Sequence, residues 1–129
     1  LQNAKDLIRM SEDQFTFWDI VPNEHGVKRF AAPCVVEQYK YWTPVDASAH
    51  NVSMAFLNLY EATGDQLAFA KAKALIDNMT IVQNKCSGQM PTTWDLRSPE
   101  REGRRTFWTN CTWASVTALL RMAELTENQ

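Results

Sequence analysis

Long apolar runs are missing from this chain of 129 residues: none approaches the roughly 18 consecutive apolar residues that a membrane span requires. No charge of one sign dominates either. Thirteen Lys and Arg against fifteen Asp and Glu are interspersed along the chain, which removes the basic footprint expected of a nucleic-acid binder. Cysteine is sparse, with Cys34, Cys86 and Cys111 too far apart for a CxxC metal or redox motif. Their odd number leaves at least one thiol unpaired and implies no disulfide framework, although one bridge stays open; each reads as a small buried hydrophobe. No phosphate-cradling glycine loop, no metal-spaced His/Cys/Asp cluster and no GxSxG elbow is present, so neither a metal nor a cofactor is expected. Three N-x-S/T matches, at Asn51, Asn78 and Asn110, fall in or at the start of predicted helices and read as chance.

What is there is helical. In FLNLYEATGDQLAFAKAKALIDNMTIVQ, from Phe56 to Gln83, an apolar run ends at Leu59 and Tyr60, Gly64 can take positive φ past a helix end, and Asp65 can cap the next start. This predicts an αα-hairpin. Ala68, Ala72, Leu75, Met79 and Val82, with Ile76, form the stripe of the second arm, while Lys71, Lys73, Asp77 and Asn78 lie off it. Ahead of the hairpin, Ala4, Ile8, Ser11, Phe15 and Trp18 share a stripe, predicting a helix over 2–18, with Trp18 in the core. Pro44 and Asp46 open a helix over 47–62 that carries no charge before Glu61, so it should be buried on two faces. Thr109 or Asn110 opens a last helix, with Trp113, Val116, Leu120 and Ala123 as its expected buried stripe. Two irregular stretches, 19–45 and 84–109, separate these helices; within the first, only Pro33 to Tyr39 could make a short helical turn.

An internal repeat supports the division. Ala4 to Ile8 (AKDLI) recurs as Ala72 to Ile76 (AKALI), and Phe56 to Asp65 (FLNLYEATGD) recurs as Leu119 to Asn128 (LLRMAELTEN). The third helix is then the counterpart of the first and the fourth of the second. The expected fold is a single all-α domain of about four helices in antiparallel hairpins, both long loops emerging at one end. That end would hold most of the chemistry, where long loops on a rigid scaffold usually carry function.

The turn Tyr60 to Asp65 (YEATGD), Gly88 followed by MPTTW, Trp108 to Cys111 (WTNC), EDQF at Glu12 and VEQY at Val36 together resemble the six-hairpin, (α/α)6-toroid glycosidases. The likeness covers most of the chain. It implies a carbohydrate-active protein of the kind found in polysaccharide-degrading bacteria, placed outside the cell or in the periplasm. Such a ring has twelve helices, so four would be an arc of it. The chain also opens at Leu1 inside a helical pattern rather than with a signal peptide, from which a processed protein or a piece of a longer one is expected. Its partners would be carbohydrate and the rest of the parent chain, or further copies of itself, with no nucleic acid and no membrane.

A glycosidase needs two carboxyl groups facing across a sugar. Glu37 and Asp95, one in each long loop, are the candidates. Glu37, among Val35, Val36, Tyr39 and Tyr41, would be the acid, and Asp95 beside Trp94 the base or a sugar-hydroxyl acceptor. Against this, Glu37 could bond loop backbone and Asp95 cap a turn. Tyr41, Trp42, Trp94 and Trp108 are candidate platforms for sugar faces. Arg97, with Arg101, Arg104 and Arg105, could hold a uronate carboxylate, which would favour a uronic-acid lyase or uronyl hydrolase. His50, one turn into the second helix, reads as a hydrogen-bonded core histidine rather than a base. The alternative to a carbohydrate-active segment is a non-catalytic helical-hairpin module that mediates protein contacts.

Overall fold

The computed structural model describes residues 1–19, 32–36, 46–81, 83–84, 86–90 and 109–127. Among these are four helices, α1 (Gln2–Phe15), α2 (Asp46–Thr63), α3 (Gln66–Thr80) and α4 (Thr109–Glu127), and a two-stranded ladder of β1 (Thr16–Phe17) and β2 (Cys34–Val35). The fold is all-α. None of the described helices is long and apolar enough to cross a membrane.

The α2–α3 hairpin forms for the reasons its residues suggest. The Gly64 N–H bonds to the Tyr60 carbonyl at 2.7 Å with Gly64 at φ 72°, the single-bond left-handed helix ending. Asp65 then caps α3, its carboxylate accepting from the backbone N–H of Leu67 and Ala68 at 2.9 and 3.3 Å. Across the turn Tyr60 meets Phe69, ring centroids 4.9 Å apart. The α3 stripe of Ala68, Ala72, Leu75, Ile76 and Met79 is buried.

Helix α2 is the centre of the packing. It buries Ala49, Phe56 and Leu57, packs along α3 and α4, and touches α1 and β2. Glu61 near its end is paired with Arg121, held by Nε at 3.1 Å from one oxygen and by a second nitrogen on the other; Arg121 also bonds Glu124 at 2.7 Å. These bonds, Glu124 first, hold the guanidinium above its ordinary range. Since Glu61 and Arg121 both lie toward the C-terminal ends of their helices, and Ser115 and Ala118 are buried further back on α4, α4 runs parallel to α2. An antiparallel α4 would carry those two residues past the end of α2.

Several expectations need correction. Helix α1 stops at Phe15, because Thr16 is extended (φ −101°, ψ 127°) and pairs with Val35 while Phe17 pairs with Cys34; the chain drawn as helical turn around Pro33 is therefore strand where it is described. Long-range ladder bonds outweigh local periodicity in so short a segment. Trp18 consequently leaves the helical stripe and is partly exposed. On α4 the stripe faces the other way: Ser115, Ala118 and Met122 are buried, whereas Trp113 is 74% exposed and Val116, Leu120 and Ala123 are exposed with it. Asn78, placed off the α3 stripe by its polarity, is buried and donates to the Pro33 carbonyl at 2.6 Å. Of the cysteines, Cys34 is fully buried, as read, whereas Cys86 is exposed rather than a buried hydrophobe.

Replacing Asp65 by Ala should cost about 1 kcal/mol through the lost cap. Gly64→Ala should cost about 1–2 kcal/mol: no atom stands within 4 Å of the added Cβ, so the cost is the left-handed backbone alone. Leu75→Ala, emptying a fully buried position, should cost about 2–5 kcal/mol. Urea midpoints at constant slope measure all three, and an unchanged Asp65→Ala midpoint would contradict the capping account.

Candidate functional site

The end of the array where α1 and α3 finish is built by three sets of contacts. The ladder folds the chain back on α1, closed by a bond from the Val36 N–H to the Phe15 carbonyl at 2.9 Å. The Asn78 amide ties the same segment, at Pro33, to the last turn of α3; the Ala32–Pro33 peptide bond there is cis. Beyond α3, Asn84 folds the chain into a tight turn: its side-chain oxygen accepts from the N–H of Cys86 and Ser87, and its carbonyl accepts from the Gly88 N–H. Gln83 donates to the Gly88 carbonyl at 2.6 Å, Gly88 takes φ 72°, and Met90 is buried just after. Both irregular stretches thus start from the same end of the molecule.

A cavity of about 340 Å³ opens at this end between α1, β2 and the first turns of α2. Phe15, Val35, Val36 and Val52 give it a largely apolar wall, and Ser11, Ser48 and Asn51 supply polar groups. The mixture of apolar wall and a few hydrogen-bonding groups is the general character of a small-molecule site. Beside it, Lys71 of α3 is ion-paired with Glu12 of α1 and lies 5.5 Å from the centroid of the Trp18 ring and 5.6 Å from that of Phe56. Trp18 completes the set by donating its indole N–H to the same Glu12 carboxylate at 3.1 Å. The Lys71 ammonium is therefore matched on one side by a charge and on two by aromatic faces, which ties α1 to α3. Sequence reading places Lys71 off the stripe and finds no partner for it, because Glu12 is distant in the chain.

His50 is the least expected group. It is fully buried in α2, and among the described residues neither ring nitrogen has a hydrogen-bond partner, in contrast to the bonded core histidine expected. Burial without a compensating bond pushes its pKa from 6.5 down to about 4, so the imidazole is neutral at pH 7. Its neighbour Ser53, also buried, satisfies itself by donating to the Ala49 carbonyl at 2.8 Å.

The candidates Glu37, Tyr41, Trp42, Trp94, Asp95, Arg97 and Trp108 lie outside the described residues, as do the arginines at 101, 104 and 105. The groups that the described part brings together, Glu12, Trp18, Lys71 and the cavity wall, are others. Among the described residues no three His, Cys, Asp or Glu side chains converge as a metal site. Compared with models of known families, with curated proteins and with solved structures, the chain matches none of them.

The state of His50 has a measurable consequence. Its folded pKa lies below its unfolded one, so the unfolded chain takes up a proton first as pH falls. Stability should be full above pH 6.5, fall by up to about 3 kcal/mol toward pH 4, and level off below it as far as this residue is concerned. His50→Leu should flatten that part of the profile and, by removing unbonded buried nitrogens, should raise stability at pH 7 by about 1–3 kcal/mol. Urea titrations of both proteins at several pH values decide it; a His50→Leu variant that is less stable at pH 7 and keeps the slope refutes the assignment.

Proposed function

We propose that the chain is a carbohydrate-active module, a segment of an (α/α)-toroid glycoside hydrolase whose loop-bearing end contributes to a saccharide cleft. The observation that supports it is the common origin of the two irregular stretches: the ladder and the Asn78–Pro33 bond hold the first against the end of α3 from which the second departs. Each stretch carries one candidate carboxyl group, and glycoside hydrolysis needs two of them across one sugar, roughly 5–10 Å apart. In this reading Glu37 protonates the leaving oxygen, and Asp95 serves as base or as a sugar-hydroxyl acceptor. Glu37 directly follows Val36, whose side chain lines the cavity. Trp42, Trp94, Trp108 and Tyr41 would stack on sugar faces, and Arg97 would distinguish a uronate from a neutral sugar. The parallel run of α2 and α4, each followed or preceded by an antiparallel partner, suits successive hairpins of such a ring. Secretion to the periplasm or cell exterior goes with the polymeric substrate.

A second reading, a non-catalytic helical-hairpin module that binds protein, is favoured by one observation: the outer face of α4 exposes Trp113, Val116 and Leu120 together. The two readings separate by experiment. In the intact protein carrying this chain, Glu37→Gln and Asp95→Asn should each lower turnover of its glycan by about 10²- to 10⁴-fold while leaving binding on a glycan array. Unchanged turnover in both variants removes the catalytic assignment. A wild-type protein that binds no glycan at all removes the carbohydrate reading and leaves the contact module.

A further inference from the structure

The cavity at the loop-bearing end is walled by three segments that each bring a different kind of group. On α1, Ser11 and Phe15 stand one helical turn apart; on α2, Asn51 and Val52 follow Ser48 by one turn; Val35 of β2 and the adjoining Val36 form the third side. Its polar groups are thus a hydroxyl from α1 and a hydroxyl and an amide from α2. Among the described residues none of these three side chains is engaged in a hydrogen bond, which leaves each of them for water or for a guest. The bond that Ser11 does make, from the Thr16 hydroxyl, goes to its backbone carbonyl.

The chemistry of this wall selects its guest. No ionisable side chain belongs to the wall that the described residues form. Glu12, next to Ser11 in the chain, is already engaged with Lys71 and with the Trp18 indole. A charged guest would give up hydration here and meet no opposite charge, a strongly unfavourable exchange. A purely apolar guest fails for the converse reason, since it would leave two hydroxyls and an amide without partners. Hydroxyl and amide groups both donate and accept, so they suit the hydroxyls of a guest, which do the same. Phe15 and the three valines suit an apolar C–H face. At about 340 Å³ the space lies near the lower end of the range for small-molecule sites, enough for one ring and its substituents rather than a chain of them.

We infer that this cavity holds a single uncharged, hydroxyl-bearing ring, one neutral sugar residue, with its apolar face on Phe15 and Val52 and its hydroxyls bonded to Ser11, Ser48 and Asn51. Naming the guest a sugar rests on the carbohydrate reading above, whereas its neutrality and size follow from the wall itself. Within that reading the residue seated here is a neutral sugar and not a uronate. The chain reaches Glu37 one residue after Val36, so the seat is covalently close to the candidate acid.

The test is isothermal titration calorimetry on the intact protein carrying this chain, with methyl glycosides as probes. The neutral set is the glucoside, galactoside, mannoside and xyloside, and the charged set is the glucuronoside, galacturonoside and mannuronoside. At least one neutral glycoside should bind, and the uronate of the same ring configuration should bind at least about tenfold more weakly. V52F, which fills the space, and separately S48A/N51A, which keeps the space and removes two polar groups, should each weaken that binding at least about tenfold. Circular dichroism verifies folding, and S48A/N51A, at positions that are not buried, carries the test should V52F unfold. Neutral glycosides that bind wild type and both variants alike sit elsewhere, so the cavity assignment falls while the carbohydrate reading stands. A uronate that binds as tightly as its neutral counterpart overturns the assignment too. A wild type that binds none of the neutral glycosides overturns it in every case; the glycan array then separates the two failures, since glycan binding there keeps the carbohydrate reading and a blank array removes both.

Discussion

Helix α2 carries apolar surface that has to be covered on more than one side. Over its 18 residues the first charged side chain after Asp46 is Glu61, and Ala49, His50, Ser53, Phe56 and Leu57 are all buried. Covering that much surface takes more than one neighbour, and α3, α4, β2 and α1 each take a sector. Burial of the large side chains contributes roughly 1.5–3 kcal/mol apiece, an amount that no surface ion pair approaches. The rest of the architecture follows from this demand: the tight turn at Gly64 returns α3 along one side, and the longer connection allows α4 to lie parallel along another.

The same demand explains where the polar exceptions fall. Ser53 bonds the Ala49 carbonyl of its own helix and costs the packing little. Asn78 uses its buried amide to fasten the strand segment to α3, so a polar residue on a core face becomes the link between a loop and the scaffold. His50 has no such outlet and remains neutral because charging it in that position is unfavourable. A buried polar group left unbonded runs against the normal pattern of folded chains.

Much of this was legible from residues alone. The hairpin, its Gly64 ending, its Asp65 cap and the α3 stripe were readable because each depends on bonds or spacings within a few residues. The face of α4 was not. Trp113, Val116 and Leu120 were expected inside, while Ser115 and Ala118, which are small, were overlooked along with Met122. Close approach to α2 favours small side chains, and that preference opposes the usual link between size and burial. The cluster of Glu12, Trp18 and Lys71 was equally hidden, since it joins α1, the ladder and α3.

Sequence by itself determined which stretches are helical and where the hairpin turns, because capping bonds, positive φ and apolar periodicity are local properties of the chain. Only tertiary structure decided that Thr16 and Phe17 leave the helix for a strand, that Asn78 and His50 are interior, and which side of α4 is covered. Those outcomes depend on what arrives from elsewhere in the chain: a helix with apolar residues on two sides has no internal reason to bury one rather than the other, and the neighbour's shape makes the choice.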